Sequence, residues 1–568
     1  MVAGLQPAGL LLWNDREKKL FIDKWKQVWN EIIYAQAINP YSSVNPILLT
    51  SWLQHSSHQE TPFEFTLRVW SIFAGDVLGE TAQHSLESYT RRVLREIPDS
   101  RKVLTRIALR LLTEQRAGLS RSEILQMASE SMPLLRPTDR NETEPDESDE
   151  NIDQSAAIEA ERISPSSRLI NELLQTGVLK QTSGGSITFS RILVAAYLAA
   201  ERLNEQSISS AILAQPRWEL RQNYFKYLAS QVDLTPLLTP EVAKLDEPLL
   251  NRLIALGEWS LQAPADYAWT TQVLRTLTAE VGNIQRPFGL RLRLAALLAG
   301  AENKSIDILF RKMMQEGESQ VRFTACLGAG LLKDPKALGD LKTLVQDIDP
   351  GVRKSAVLAL GAIGGKQAME SVAYALLQND EGLQKCAAEV LASDENEGYE
   401  TLREGSTFDD LLVRRAVISG LRKIDADWSS EILEKIRLED SQWVVRNAAE
   451  RAVNQLNNLY PTVPRPFTKL QDTPWLVKYA STQGRGISSS IAAEEVLLNA
   501  AQNGNYEEKK LAFYRLVFLP NITEGVPATL YRSVYGEKGE IQEEALQSLW
   551  LINGRAFELP EPMQFGYA

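Results

Sequence analysis

The sequence predicts an all-α protein whose larger part is an α-solenoid, and three observations carry that prediction. A short phrase returns at nearly constant spacing through the second half of the chain. The first half is a succession of amphipathic stretches broken by one hairpin signal. The 568 residues, 44% hydrophobic and 24% charged, suit a packed globular chain and rule out a mainly disordered or fibrous one.

From the N-terminus, residues 16 to 135 read as helices. In Lys19 to Tyr34, the side chains Phe21, Trp25, Val28, Trp29 and Ile32 share one helical face. Asp23, Lys26, Gln27 and Asn30 fall on the other, so this helix is amphipathic. Asn45-Pro46 opens an apolar helix, since proline fits a first helical turn. Phe63 to Gly75 and Thr81 to Arg95 follow. Helices are expected near 101–114, 120–132 and 165–176, then a hairpin. Val178 to Gln181 and Ile187 to Phe189 flank the turn Ser183-Gly184-Gly185-Ser186. Three helices and a hairpin make a winged-helix arrangement over 101–200, followed by a helix from Leu193 to Leu203.

Inside that domain lies an acidic insert, about 137–163. Asp139 to Glu161 holds ten acidic residues and one basic residue, too polar to pack, so a disordered loop is expected. The chain's net charge of -12 therefore comes mostly from one segment.

From residue 286 an aliphatic residue, usually followed by Arg, recurs at 290, 321, 352, 383, 413 and 445, with intervals of 31, 31, 31, 30 and 32. Small residues follow, among them Ala325, Ala356, Ala387, Ala416 and Ala449; Asp349, Asp380, Asp410 and Asp440 precede. An Asp in that place caps a helix N-terminus. The aliphatic residue begins a buried stripe, and the alanines let the next helix approach. Each two-helix unit buries its face only against its neighbours, which makes a one-dimensional array. Residues 201–285 read as a helical connector and 286–457 as the repeats. Beyond them, Ile487 to Ala501, Tyr506 to Phe518 and Ile541 to Leu551 read as three more helices. Residues 458–568 are thus expected to be a degenerate repeat-like cap closing the apolar end of the solenoid.

The phrase resembles the HEAT repeat, in the short form also found in phycobilin-lyase-like proteins. The resemblance implies an extended surface for protein partners. It also implies that the repeated Arg bonds an acidic residue of the adjacent repeat. The first half resembles the lid and winged helix of bacterial NACHT-type signalling NTPases of the STAND class. The matching residues are Asn45 to Leu49, Gly177-Val178-Leu179, Phe189-Ser190-Arg191 and Tyr197-Leu198-Ala199-Ala200. On that resemblance, 1–100 is a helical lid domain, and Pro46 and Arg191 stand where the family contacts its nucleotide. The family's winged-helix His is Arg191 here, and an arginine cannot switch by titration near neutral pH. No Gly-rich loop with Lys-Ser/Thr is present; Gly361 to Gln367 has the wrong spacing and reads as an inter-helix turn. The chain therefore reads as a NACHT-type sensor region without its NTPase core, so the two positions are vestigial.

The expected function is non-enzymatic protein interaction: a partner on the concave surface of the solenoid, with a separate NTPase core as a possible second partner. A freestanding HEAT scaffold and a phycobilin-lyase-like chaperone remain alternatives. No catalytic residue, metal site or cofactor is expected. His55 and His58 share a helical face with no third ligand near in sequence, and His84 stands alone. Cys326 and Cys386 read as core-facing small residues in a reduced, cytoplasmic setting, and the tryptophans as packing residues. The helix before the hairpin carries too few basic or amide side chains to read a major groove, so nucleic acid is not expected as a partner. No apolar run reaches membrane-spanning length.

Overall fold

The structure, a computed structural model, describes residues 2–3, 13, 15–29, 31, 61–74, 82–95, 97, 99–131, 165–201, 206–242, 249–301, 303–457, 465–466, 468–519 and 521–553. Pro46, His55, His58 and the acidic insert lie outside them. The chain is all-α, a HEAT-like solenoid, with two short antiparallel strand pairs among the described residues. Its contacts divide it into two compact units. One comprises residues 10–245 and 258–271, the other 1–9, 246–257 and 272–568.

In the first unit, helix α1 (Asp15–Val28) turns Phe21, Ile22 and Trp25 toward α2 (Pro62–Phe73), where Phe65, Val69 and Ile72 complete an apolar cluster. Val28, expected on that face, is half exposed, and Ile22 takes its place in the core. A capping box starts α2: Glu64 N–H donates to Thr61 Oγ1 at 3.2 Å and Thr61 N–H returns to Glu64 Oε2 at 2.9 Å. The same carboxylate is buried and accepts, through Oε1, Lys226 Nζ at 2.8 Å and Tyr227 O–H at 3.0 Å. Those residues lie on α9 (Glu219–Ala229).

Helix α3 (Ala82–Val93) leads to α4 (Ser100–Thr113), α5 (Arg121–Ser131) and α6 (Pro165–Gln175). The hairpin forms where the glycine turn places it: β1 (Leu179–Gln181) pairs with β2 (Ile187–Phe189), and Leu119 adds a bridge to Ile187. Helix α7 (Ile192–Ala200) is almost wholly buried. Its Tyr197 O–H donates to Glu87 Oε2 at 2.5 Å, and Arg101 lies between Glu87 and Glu201, bonding both. Burial opposes ionisation of Glu87, yet the hydrogen bonds from Arg101, Tyr197 and Arg91 hold its carboxyl down to about 2. Three more helices follow, α8 (Gln206–Leu213), α9 and α10 (Thr235–Val242). Helices α11 (Asn251–Ser260) and α12 (Ala268–Val281) each belong partly to both units.

The array occupies the second unit. Its first-layer helices are α13 (Phe288–Ala299), α15 (Ser319–Leu331), α17 (Pro350–Ile363), α19 (Glu381–Leu391), α21 (Leu411–Leu421) and α23 (Trp443–Asn457). Between them run the second-layer helices α14 (Lys304–Met313), α16 (Leu338–Leu344), α18 (Lys366–Leu376), α20 (Glu397–Gly405) and α22 (Asp427–Glu439). Asp349, Asp380 and Asp410 cap α17, α19 and α21 as expected. Asp440 instead closes α22 and accepts Gln442 N–H at 2.8 Å. First-layer helices touch backbone to backbone: a Cβ on Gly420 would meet the Ala388 carbonyl oxygen at 2.4 Å. Gly364 and Gly365, at φ 71° and 82°, make the α17–α18 turn that the rejected phosphate-loop reading covered.

Beyond the array five α-helices form among the described residues, not three. They are α24 (Pro474–Thr482), α25 (Ser490–Asn503), α26 (Tyr506–Val517), α27 (Gly525–Gly536) and α28 (Glu540–Asn553). The two further ones, α24 and α27, carry short buried stripes, Leu476, Tyr479 and Ala480 in one and Val526, Leu530 and Val534 in the other. Proline in a first turn, at Pro474 and Pro527, is compatible with both. The last helix lies against the first of the array: the Glu543 carboxylate accepts the N–H groups of Phe288 and Gly289, the latter at 2.8 Å. It thereby meets the orphan donors at the start of α13, and Arg293 lies over the Trp550 ring.

Candidate functional site

The candidate surface is the edge of the array where second-layer helices turn into first-layer ones. Its backbone is fixed by arginine. Arg322 donates from Nε and Nη2 to Asp347, at 2.8 and 2.9 Å, and from Nη1 to the carbonyls of Glu316 and Gly317. Arg353 repeats this with Asp380 at 2.6 Å and the carbonyls of Asp347 and Ile348. Arg414 does so with Asp440 at 2.7 Å and the carbonyls of Phe408 and Asp409. Each arginine thus ties its own turn to the carboxylate of the next repeat. Burial of Asp347 and Asp440 disfavours their charge, but these bonds hold both carboxyls below the usual range. The rungs leave the arginines no free fork for an external phosphate.

The ladder varies at both ends and in the middle. Arg291 is fully buried and bonds Gln320 at 2.6 Å instead of a carboxylate. Among the described residues Arg446 bonds the carbonyls of Asp440 and Ser441 and no carboxylate. At the fourth position Gln384 replaces Arg, and its buried Oε1 has no partner among the described residues.

The held turns project apolar side chains. Ile348 is 91% exposed, and Phe408, in the equivalent segment, 45%. Leu411 and Trp443, each the first residue of its helix, are 38% and 68% exposed. Trp443 corrects the expectation that the tryptophans serve in packing, which Trp259 and Trp269 do satisfy. Periodicity could not reveal these four, since they sit in turn and helix-start positions outside the stripe; their apolar character amid turn residues was the available signal.

Arg191 is exposed at the start of α7, with its guanidinium over the Phe63 ring, 5.3 Å from the centroid. Burial raises the neighbouring Tyr89 phenol above its ordinary value, and the Arg191 charge works against that rise. The structure therefore gives Arg191 an aromatic companion; Pro46 lies outside the described residues. His84 is exposed on α3, and among the described residues no three His, Cys, Asp or Glu side chains gather into a metal-binding group. Cys326 is fully buried, but Cys386 is only partly so. Burial pushes the thiols up to about 12 and about 11, so both stay protonated at neutral pH. On α6, Asn171 accepts a bond from Arg121 at 2.6 Å. No described helix is long and apolar enough to cross a membrane.

A family model described as HEAT repeats matches residues 306–392. Comparison with curated protein sequences yields no match. Among solved structures, human deoxyhypusine hydroxylase in complex with glycerol is 14% identical. That alignment covers 47% of this chain and 91% of the other, with a TM-score of 0.19. An engineered protein is 15% identical over 78% of this chain and 99% of its own, with a TM-score of 0.20. Neither alignment bears on function. The helices and the family match thus define the fold class, an all-α chain with a HEAT-like solenoid.

Proposed function

We propose that the chain is a protein-interaction scaffold that captures a partner on the turn edge of its HEAT array. The observation that supports this is the exposure of Ile348, Phe408, Leu411 and Trp443 on turns whose backbone the arginine rungs hold rigid. A preformed apolar row loses little entropy on binding, and large side chains anchor such interfaces. The test places a photo-crosslinking amino acid at Phe408, at Trp443 and, as a control, at the exposed Lys435 of α22. A discrete adduct from the first two positions and none from the third is expected in the source cells. Equal labelling at all three, or no adduct anywhere, overturns the proposal.

A finer reading makes the chain the lid, winged-helix and sensor region of a NACHT-type signalling protein. The order helix, bridge, helix, helix, hairpin over Ser100–Phe189, followed by α7, supports it. That reading requires the purified chain to bind no ATP by itself. Calorimetric titration with MgATP that shows saturable heat would refute it.

A further inference from the structure

We propose that the array contains a built-in joint between the repeats α19–α20 and α21–α22, clasped by ion pairs that salt loosens. Three independent features meet there. First, the copy interval shortens to 30 residues, and Gln384 stands where the neighbouring repeats carry the rung arginine. The rung to the next turn is missing, and the Gln384 side-chain oxygen Oε1 is buried with no donor among the described residues. Second, α19 is joined instead to α21 and to the turn after it by pairs nearer solvent: Arg415–Glu381 at 3.2 Å and Lys423–Glu389 at 2.8 Å. Their side chains are 28–58% exposed, whereas the Arg322–Asp347 and Arg414–Asp440 rungs are 6–12% exposed and the Arg353–Asp380 rung 23–25%. Exposed pairs are screened by salt and buried ones far less.

Third, the second layer at this joint is pinned. Trp428 of α22 lies against Tyr399 of α20, ring centroids 5.3 Å apart, and the Arg403 guanidinium sits 4.0 Å from its ring centroid. A stack on one layer and a screened clasp on the other make a pivot and a latch. Between the first-layer helices, Gly420 passes close over the Ala388 carbonyl. Opening the latch changes the spacing between the turn that carries Ile348 and the turns that carry Phe408 and Trp443. The joint does not depend on the partner reading.

Hydrogen exchange on the full chain tests this, at about 0.05 M and about 0.5 M NaCl, where screening lengths differ roughly threefold. The expected result is several-fold faster exchange at high salt in residues 383–391 and 411–421, with residues 321–331 and 352–363 unchanged. Lys423→Gln should reproduce the high-salt pattern at low salt. Gln384→Arg should remove the salt dependence by supplying the rung toward Asp409 and Asp410. Salt acceleration of equal size in all four helices, or none in any variant, overturns the joint. If Gln384→Arg unfolds locally, Lys423→Gln and Glu389→Gln still decide it: both must act on α19 and α21 alone.

Discussion

The array and the helical unit of residues 10–245 and 258–271 both hold helices together with buried or half-buried carboxylates, but they find partners differently. In the array, the carboxylate of Asp347, Asp380 or Asp440 meets an arginine 25 to 27 residues earlier, repeat after repeat. In the other unit, Glu64 meets residues 162 and 163 positions away, and Arg101 meets Glu201 across 100. Each of those bonds occurs once. A periodic interaction can lose one rung, as at Gln384, and keep its neighbours. A unique buried carboxylate has no such substitute.

The largest expected effect separates the two regions on that ground. Glu64→Ala leaves the Tyr227 hydroxyl and the Lys226 ammonium facing an empty acceptor, and should cost about 3–5 kcal/mol. Calorimetry should show the loss in one transition, with the array's transition unmoved. Next comes Gly420→Ala. The Ala388 carbonyl is backbone and cannot yield cheaply, so overpacking should cost about 1–3 kcal/mol in urea unfolding of the array. Arg414→Gln removes a rung from a nearly buried Asp440 and should cost about 2 kcal/mol, confined to the last repeats. A loss spread over both units would erase the distinction drawn here.

Acid sharpens it further. Against the opposing effect of burial, the hydrogen bonds from Arg101, Tyr197 and Arg91 lower the folded Glu87 carboxyl to about 2 from its ordinary 4.5. The stability it contributes is therefore fully present above 4.5 and fades as pH falls toward 2. Glu87→Gln should be less stable than the parent at neutral pH, with the difference closing through that window. Smallest of all, Ile348→Ser and Trp443→Ser should change stability by less than about 0.5 kcal/mol. Their side chains lie outside the core, and only partner capture should suffer.

The residues show how far the text could be read. The aliphatic-Arg phrase, the capping aspartates and the double-glycine turn act within or between adjacent repeats, so their spacing is printed in the chain. The hairpin was legible for the same reason: its turn chemistry is local. Helices α24 and α27 carry stripes too, Leu476, Tyr479 and Ala480 in one and Val526, Leu530 and Val534 in the other, but Pro474 and Pro527 punctuate them as turn residues would. Trp443 was misread as packing because composition says nothing about which side of a helix start faces solvent. The particular carboxylates that hold α2 to α9 and α3 to α7 had no sequence signal beyond the capping box at Thr61.

By itself, then, the sequence determined the all-helical class, the period of the array, its caps and the arginines of its rungs. Tertiary structure alone decided that Glu64 finds Lys226, that Arg101 sits between Glu87 and Glu201, and that Glu543 of the last helix caps the first helix of the array. The reason is separation along the chain. Contacts within about one repeat recur and leave a pattern, whereas a contact across a hundred residues closes a long loop once, and only the packed fold selects which two side chains meet.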